Sequence, residues 1–162
     1  MDQVVEKPDV EPSMEIEKLL HYRVQRLASK MTLITSREVL AGTGVHIGEW
    51  RLLCLLRENG QTNHTTVSQK LALDPGRTSR LLKAVEHKEL VRRTNDPTDG
   101  RASIFELTDR GFEILDRLWP LANGVADDFH RQFGIRELEQ LNSMLDRAIT
   151  YANERIQSDR ND

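Results

Sequence analysis

Cysteine is nearly absent: Cys54 stands alone in a chain of 162 residues. One thiol excludes an intramolecular disulfide framework and a four-cysteine zinc site, and it suits a reducing cytoplasm. Long hydrophobic runs are missing too. The longest, Leu52-Leu53-Cys54-Leu55-Leu56, falls far short of the ~20 residues needed to span a bilayer, so no membrane partner is expected. Met1 to Pro8 has no basic flank leading into an apolar stretch, so no secretory leader is expected. There are no internal repeats or low-complexity tracts. His21, His46, His64, His87 and His130 form no His-Glu-x-x-His pattern. Asp127, Asp128 and His130 come nearest to a metal set and read better as a solvated helix face. Neither metal nor cofactor is expected. No Ser/His/Asp set or carboxylate pair stands in a catalytic context, so an enzyme is not expected. The stretch from Gly42 to Gly48 looks like a phosphate loop but follows a helix instead of a strand, so it reads as a helix–helix connection.

What is present is a globular composition. Hydrophobic residues make up 38% and charged residues 30%, enough for one domain or a compact two-part unit with an ionised surface. The net charge is −3, unevenly spread. Residues 61–101 carry eight Lys and Arg against five Asp and Glu, whereas the remainder is acidic. A basic middle in an acidic frame points to an anionic partner for the middle alone.

Residues 1–13, with Pro8, Pro12 and four acidic side chains, read as a disordered tail. From Met14 to Leu40 apolar residues recur at Ile16, Leu20, Val24, Leu27, Met31 and Ile34, the stripe of one long helix that stops at the glycines after Ala41. Glu49 to Asn59 reads as a second helix with Trp50, Leu53, Cys54 and Leu56 inward, Cys54 being a buried, inert thiol. Two short helices follow, Thr65 to Ala72 and Pro75 to about Lys88, the latter capped by Asp74 and burying Thr78, Leu81, Leu82 and Val85. Leu90 to Thr94 and Ala102 to Leu107 read as strands joined by the turn formers from Asn95 to Gly100. Thr108 is a cap for a helix to Phe129, which Pro120 is expected to kink. A last helix after Gly134 carries Leu138, Leu141, Met144, Leu145 and Ile149.

Helix, helix, short turn, helix and hairpin in this order make a winged helix-turn-helix, a mainly α fold with a small β-hairpin. Such a unit lays its second short helix in the DNA major groove. Gly76, Arg77, Ser79, Arg80 and Lys83 lie opposite the buried face of that helix. Arginine can bond guanine O6 and N7 together, whereas lysine and hydroxyls suit phosphate. Arg77 and Arg80 are therefore assigned to bases, Lys83, Thr65 and Thr66 to phosphate, and Arg93 and Arg101 to the wing. Asp99 and Arg101 alternatively form a structural ion pair.

At these residues the chain resembles the MarR (multiple antibiotic resistance regulator) family of bacterial transcription factors. The resemblance spans roughly residues 15–155. It is carried by Leu90-Val91-Arg92-Arg93, Asp96-x-x-Asp99-x-Arg101, Leu107-Thr108 and Gly111, with Leu71-Ala72-Leu73-Asp74 and Ser79-Arg80-Leu81-Leu82 before them. It implies a homodimer whose first and last helices interlock, placing two winged units on a palindromic operator. On that basis residues 14–44 and 132–162 form the dimerisation region, and 45–131 the winged helix-turn-helix DNA-binding domain. Relatives often have glycine where Glu89 ends the recognition helix, which predicts a different stop here. Several have a cation where Gly100 stands, leaving Arg101 alone to reach the minor groove.

The function expected is a cytoplasmic, dimeric repressor of transcription that binds double-stranded DNA and is released by a small molecule. The alternative is a helical protein-interaction module without DNA binding, which has little reason to place cations at Arg77, Arg80 and Lys83. The resemblance also implies an effector pocket between the dimerisation helices and the winged domain, often for small aromatic carboxylates. His21, Tyr22, Trp50 and Arg51 are the candidates, because a carboxylate in an apolar cleft needs a cation and a ring needs an apolar wall. Trp50 as plain core and Arg51 as a surface ion-pair partner are the competing readings.

Overall fold

In the computed structural model, which describes residues 15–95 and 102–158, the expected first helix is three pieces. A 3-10 turn at Ile16–Lys18 ends where Leu19 turns extended, α1 runs Leu20–Ile34, and a wider π turn occupies Thr35–Val39. No glycine or proline marks either change, so periodicity alone missed both. The π turn, closed by Leu40 N–H on the Thr35 carbonyl at 3.1 Å, swings the chain inward. α1 buries no residue, whereas Val39 and Leu40 just beyond it belong to the core.

α2 runs Ile47–Asn59, two residues earlier than expected, because the Glu49 carboxylate reaches back to accept the His46 N–H at 2.8 Å. It is the centre of the protein: Leu52, Leu53 and Leu56 are fully buried, and each contributes roughly 1.5–3 kcal/mol of burial. Cys54 is only half-buried, a correction to its assignment as core, and burial still pushes its thiol up to about 11. α3 (His64–Lys70) packs on α4 (Pro75–His87), and α4 packs on α2, with Val67, Leu82 and Val85 in the common core. Leu81 is half-buried, not buried as expected.

The hairpin is part of a three-stranded antiparallel sheet, because Gln61–Asn63 forms a strand too short and polar to read from sequence. With β1 at Gln61–Asn63, β2 at Val91–Asn95 and β3 at Ser103–Leu107, the order is β1-β3-β2. Phe105 pairs with both Thr62 and Arg93, and Leu107 with Val91, so β3 turns Phe105 and Leu107 to the core. α5 follows at Asp109–His130, capped by the Thr108 hydroxyl, which accepts the Gly111 N–H at 3.1 Å. A Cβ on Gly111 would lie 2.2 Å from the Leu90 carbonyl oxygen, so only glycine lets α5 start this close to the end of the helix-turn-helix. α5 stays helical through Pro120, which is exposed. α6, Ile135–Ser158, completes the described chain.

Candidate nucleic-acid interface

α4 is held from one side. Asp74 Oδ1 accepts the Arg77 N–H at 2.8 Å, and Pro75 has no N–H to leave unsatisfied in the first turn. That hydrogen bond, helped by the Arg77 and Arg80 charges, holds the Asp74 carboxyl below the ordinary carboxylate range. Thr78 is buried with its hydroxyl donating to the Asp74 carbonyl at 3.0 Å and lying 2.8 Å from the Ser68 hydroxyl on α3. With Leu82 and Val85 beside it, one face of α4 is fully committed to the interior.

Two other faces remain. The open one carries Arg77 and Arg80, both exposed, above Gly76. Arg77 Nε lies 3.2 Å from Asp74 Oδ2, so the helix cap also orients a guanidinium assigned to bases. The other face, with Ser79 and Lys83, turns toward the wing. It forms a cleft of about 380 Å³ together with Asn63, His64 and Thr65 at the start of α3 and Arg93 and Ser103 on the hairpin. Arg93 Nε donates to the Ser103 hydroxyl at 2.8 Å, and Arg92 on the same strand pairs with Glu106 at 2.8 Å.

The structure thus gathers Thr65, Ser79, Lys83 and Arg93 around one cleft and sets Gly76, Arg77 and Arg80 on the adjoining surface. Thr66 is half-buried, its N–H bonded to the Asn63 side chain at 2.9 Å. Arg101 and Asp99 lie outside the described residues. Asn63, His64 and Ser103 were missed. Asparagine before a helix is a capping signal that was there to be used. Nothing in the sequence marks His64, whose Nε2 sits 3.0 Å from the Ser79 hydroxyl on another helix.

The four effector candidates are not brought together. Trp50 lines a cavity of about 470 Å³ closed by Met31, Ile34 and Glu38 on one side and Val125, Phe129 and His130 of α5 on the other. Tyr22 borders a separate hollow on α1 with Arg23, Arg26 and Lys30, and His21 is exposed. Arg51 is exposed and donates to the Thr32 hydroxyl at 3.1 Å. The α5 side of the cavity was missed because its residues are remote in sequence from Trp50. Among the described residues no cluster of three His, Cys, Asp or Glu is placed to hold a metal. Nor is any described helix long and apolar enough to cross a membrane.

Residues 45–103 match the sequence model of the MarR family. The chain is 31% identical over 75 residues to the HTH-type transcriptional repressor NicR of Pseudomonas putida, covering 46% of this chain and 48% of NicR. It is 30% identical over 98 residues to the HTH-type transcriptional regulator YxaD of Bacillus subtilis, covering 60% of this chain and 68% of YxaD. The match therefore spans about half of one relative and two thirds of the other. Among solved structures, the PcaV transcriptional regulator of Streptomyces coelicolor, in complex with its natural ligand, superposes with a TM-score of 0.77 at 19% identity. That superposition covers 88% of this chain and 99% of PcaV.

Proposed function

The chain belongs to the MarR family, and from that premise we propose that it is a dimeric, sequence-specific DNA-binding regulator of transcription, a repressor released from a palindromic operator by a small aromatic molecule. The observation that carries the reading is α4. One face is locked into the core by Thr78, Leu82 and Val85, another exposes Arg77 and Arg80, and a third shares a cleft with Arg93 of the wing. A helix fixed in this way presents donors to base edges at little entropic cost, while Lys83, Thr65 and the wing meet phosphate. The name of NicR supports repression, and the ligand of PcaV supports a small-molecule site in this fold.

The effector site in this reading is the cavity at Trp50. A ring packs between Trp50 and Phe129, and the carboxylate of an aromatic acid takes its donor from His130, since Arg51 is turned to Thr32. Ligand would act by favouring a dimer spacing that does not fit the operator, to the extent of its preference for that state. Binding of the full-length protein to the DNA upstream of its own gene, and to oligonucleotides selected from a random pool, tests the first part. An inverted-repeat site bound far more tightly than scrambled DNA is expected. Equal affinity for both overturns the reading. Calorimetry with a panel of benzoates and ring amines tests the second. Binding of a benzoate, lost in Trp50→Ala and His130→Ala, is expected, and a panel without binders removes the aromatic acid.

A further inference from the structure

Lys88 stands at the C-terminal end of α4, and its ammonium makes three hydrogen bonds. It donates to the two carboxylate oxygens of Glu49 at 2.7 and 2.6 Å and to the Gly44 carbonyl at 2.7 Å. An ammonium has three N–H donors, so all are used within the protein. Glu49 is only 4% exposed, and its Oε2 also accepts the His46 N–H. Three segments converge here: the connection leaving the first helical region, the first turn of α2, and the end of the DNA-reading helix. The next residue along, Trp50, lines the cavity beside α5.

The pair is buried at Glu49 and half-buried at Lys88. Such a pair is a weak source of stability, because a well-packed apolar pair of similar size does as well. With all three ammonium donors taken, however, it fixes the direction from which α4 meets α2. Reading base edges requires a helix placed to within a fraction of an ångström, whereas phosphate contacts through long side chains tolerate more. We propose that the Glu49–Lys88 pair is the joint that sets the pose of α4 for reading bases, so that both are specificity-determining positioning residues that do not touch DNA. The proposal rests on the DNA-binding reading above.

The test uses the full chain and a fluorescent operator duplex, with a scrambled duplex of equal length, titrated at several salt concentrations. The variants are Lys88→Met, Glu49→Gln and the double variant, which leaves no buried charge without a partner and so stays folded where the single variants do not. Leu115→Ala, a core truncation on α5, controls for lost stability. The joint predicts that the variants lose about tenfold on the operator, the value of one good base contact. Affinity for scrambled DNA and the salt slope stay at wild-type values. Leu115→Ala, at a comparable fall in thermal midpoint, keeps the wild-type ratio of operator to scrambled affinity. An unchanged ratio in the double variant overturns the joint, as does an equal loss on both duplexes. A salt slope reduced by about one in Lys88→Met also overturns it, because Lys88 would then be a phosphate contact. Wild type without operator preference overturns the DNA-binding reading itself, an outcome visible before any variant is made.

Discussion

Ala72 and Glu89 sit at φ 51° and 57°, in the left-handed region, without being glycine. Each is where a helix of the helix-turn-helix unit ends. Leu73 N–H closes on the Ser68 carbonyl at 2.9 Å, and Leu90 N–H on the Val85 carbonyl at 3.0 Å. Glu89 therefore stops α4 with the geometry glycine would give, correcting the expectation of a different stop. Its Cβ makes that conformation unfavourable, and its ion pair with Arg110, between exposed groups, returns little in water. Glu89→Gly is expected to raise stability by about 0.5–1 kcal/mol, seen as a higher urea midpoint at unchanged slope. A lower midpoint would mean that the ion pair outweighs the strain. Asp74 gives a pH-dependent counterpart. Its folded carboxyl titrates below the ordinary carboxylate range, so its capping contribution is complete above that range and is lost as pH falls through the lower, folded value. Asp74→Ala should melt below wild type at neutral pH, with the two curves converging in acid. A gap independent of pH would show that the charge is not what caps the helix.

At the scale of an element, the roles proposed for α4 divide by face. Arg80 projects from the open face, whereas Lys83 faces the cleft shared with Arg93. Arg80→Ala is expected to cost about 1–3 kcal/mol on the cognate site and to relax preference at one base pair. Lys83→Ala is expected to weaken all sequences alike and to flatten the salt dependence. Equal losses on cognate and random DNA for Arg80→Ala would show the division wrong. The π turn at Thr35–Val39 is the other element with consequences, because it separates an α1 that buries nothing from Val39 and Leu40 in the core.

Over the whole molecule the apolar surface is lopsided. Leu20, Val24, Leu27 and Met31 of α1 are exposed, as are Ile135, Met144, Ile149 and Tyr151 of α6, so among the described residues these apolar faces stay open. A patch of this extent marks an interface, and in the proposed dimer a second copy of the chain supplies the matching one. Sedimentation at micromolar concentration is expected to give twice the chain mass, and deletion of residues 140–162 to remove both dimerisation and tight operator binding. A chain that sediments as a monomer while holding an operator tightly would overturn this. Two units related by a two-fold axis place their half-sites about 10 bp, or 34–36 Å, apart.

The local rules reached far because most elements here announce their ends. Asp74-Pro75 starts α4, Thr108 starts α5, and the alternation around Phe105 makes a strand, each within a few residues of chain. Spacing on α4 likewise separated its buried face from the exposed Arg77 and Arg80, since helical periodicity is itself local. Only tertiary structure decided what depends on partners distant in sequence. β1 exists because β3, some 40 residues on, supplies its hydrogen bonds. Trp50 lines a cavity because α5 closes over it, and the same fold leaves Arg51 facing Thr32. Lys88 is taken up by Glu49 because α2 and the end of α4 come together in space. A single helix stripe records which side is apolar, but not which neighbour will cover it.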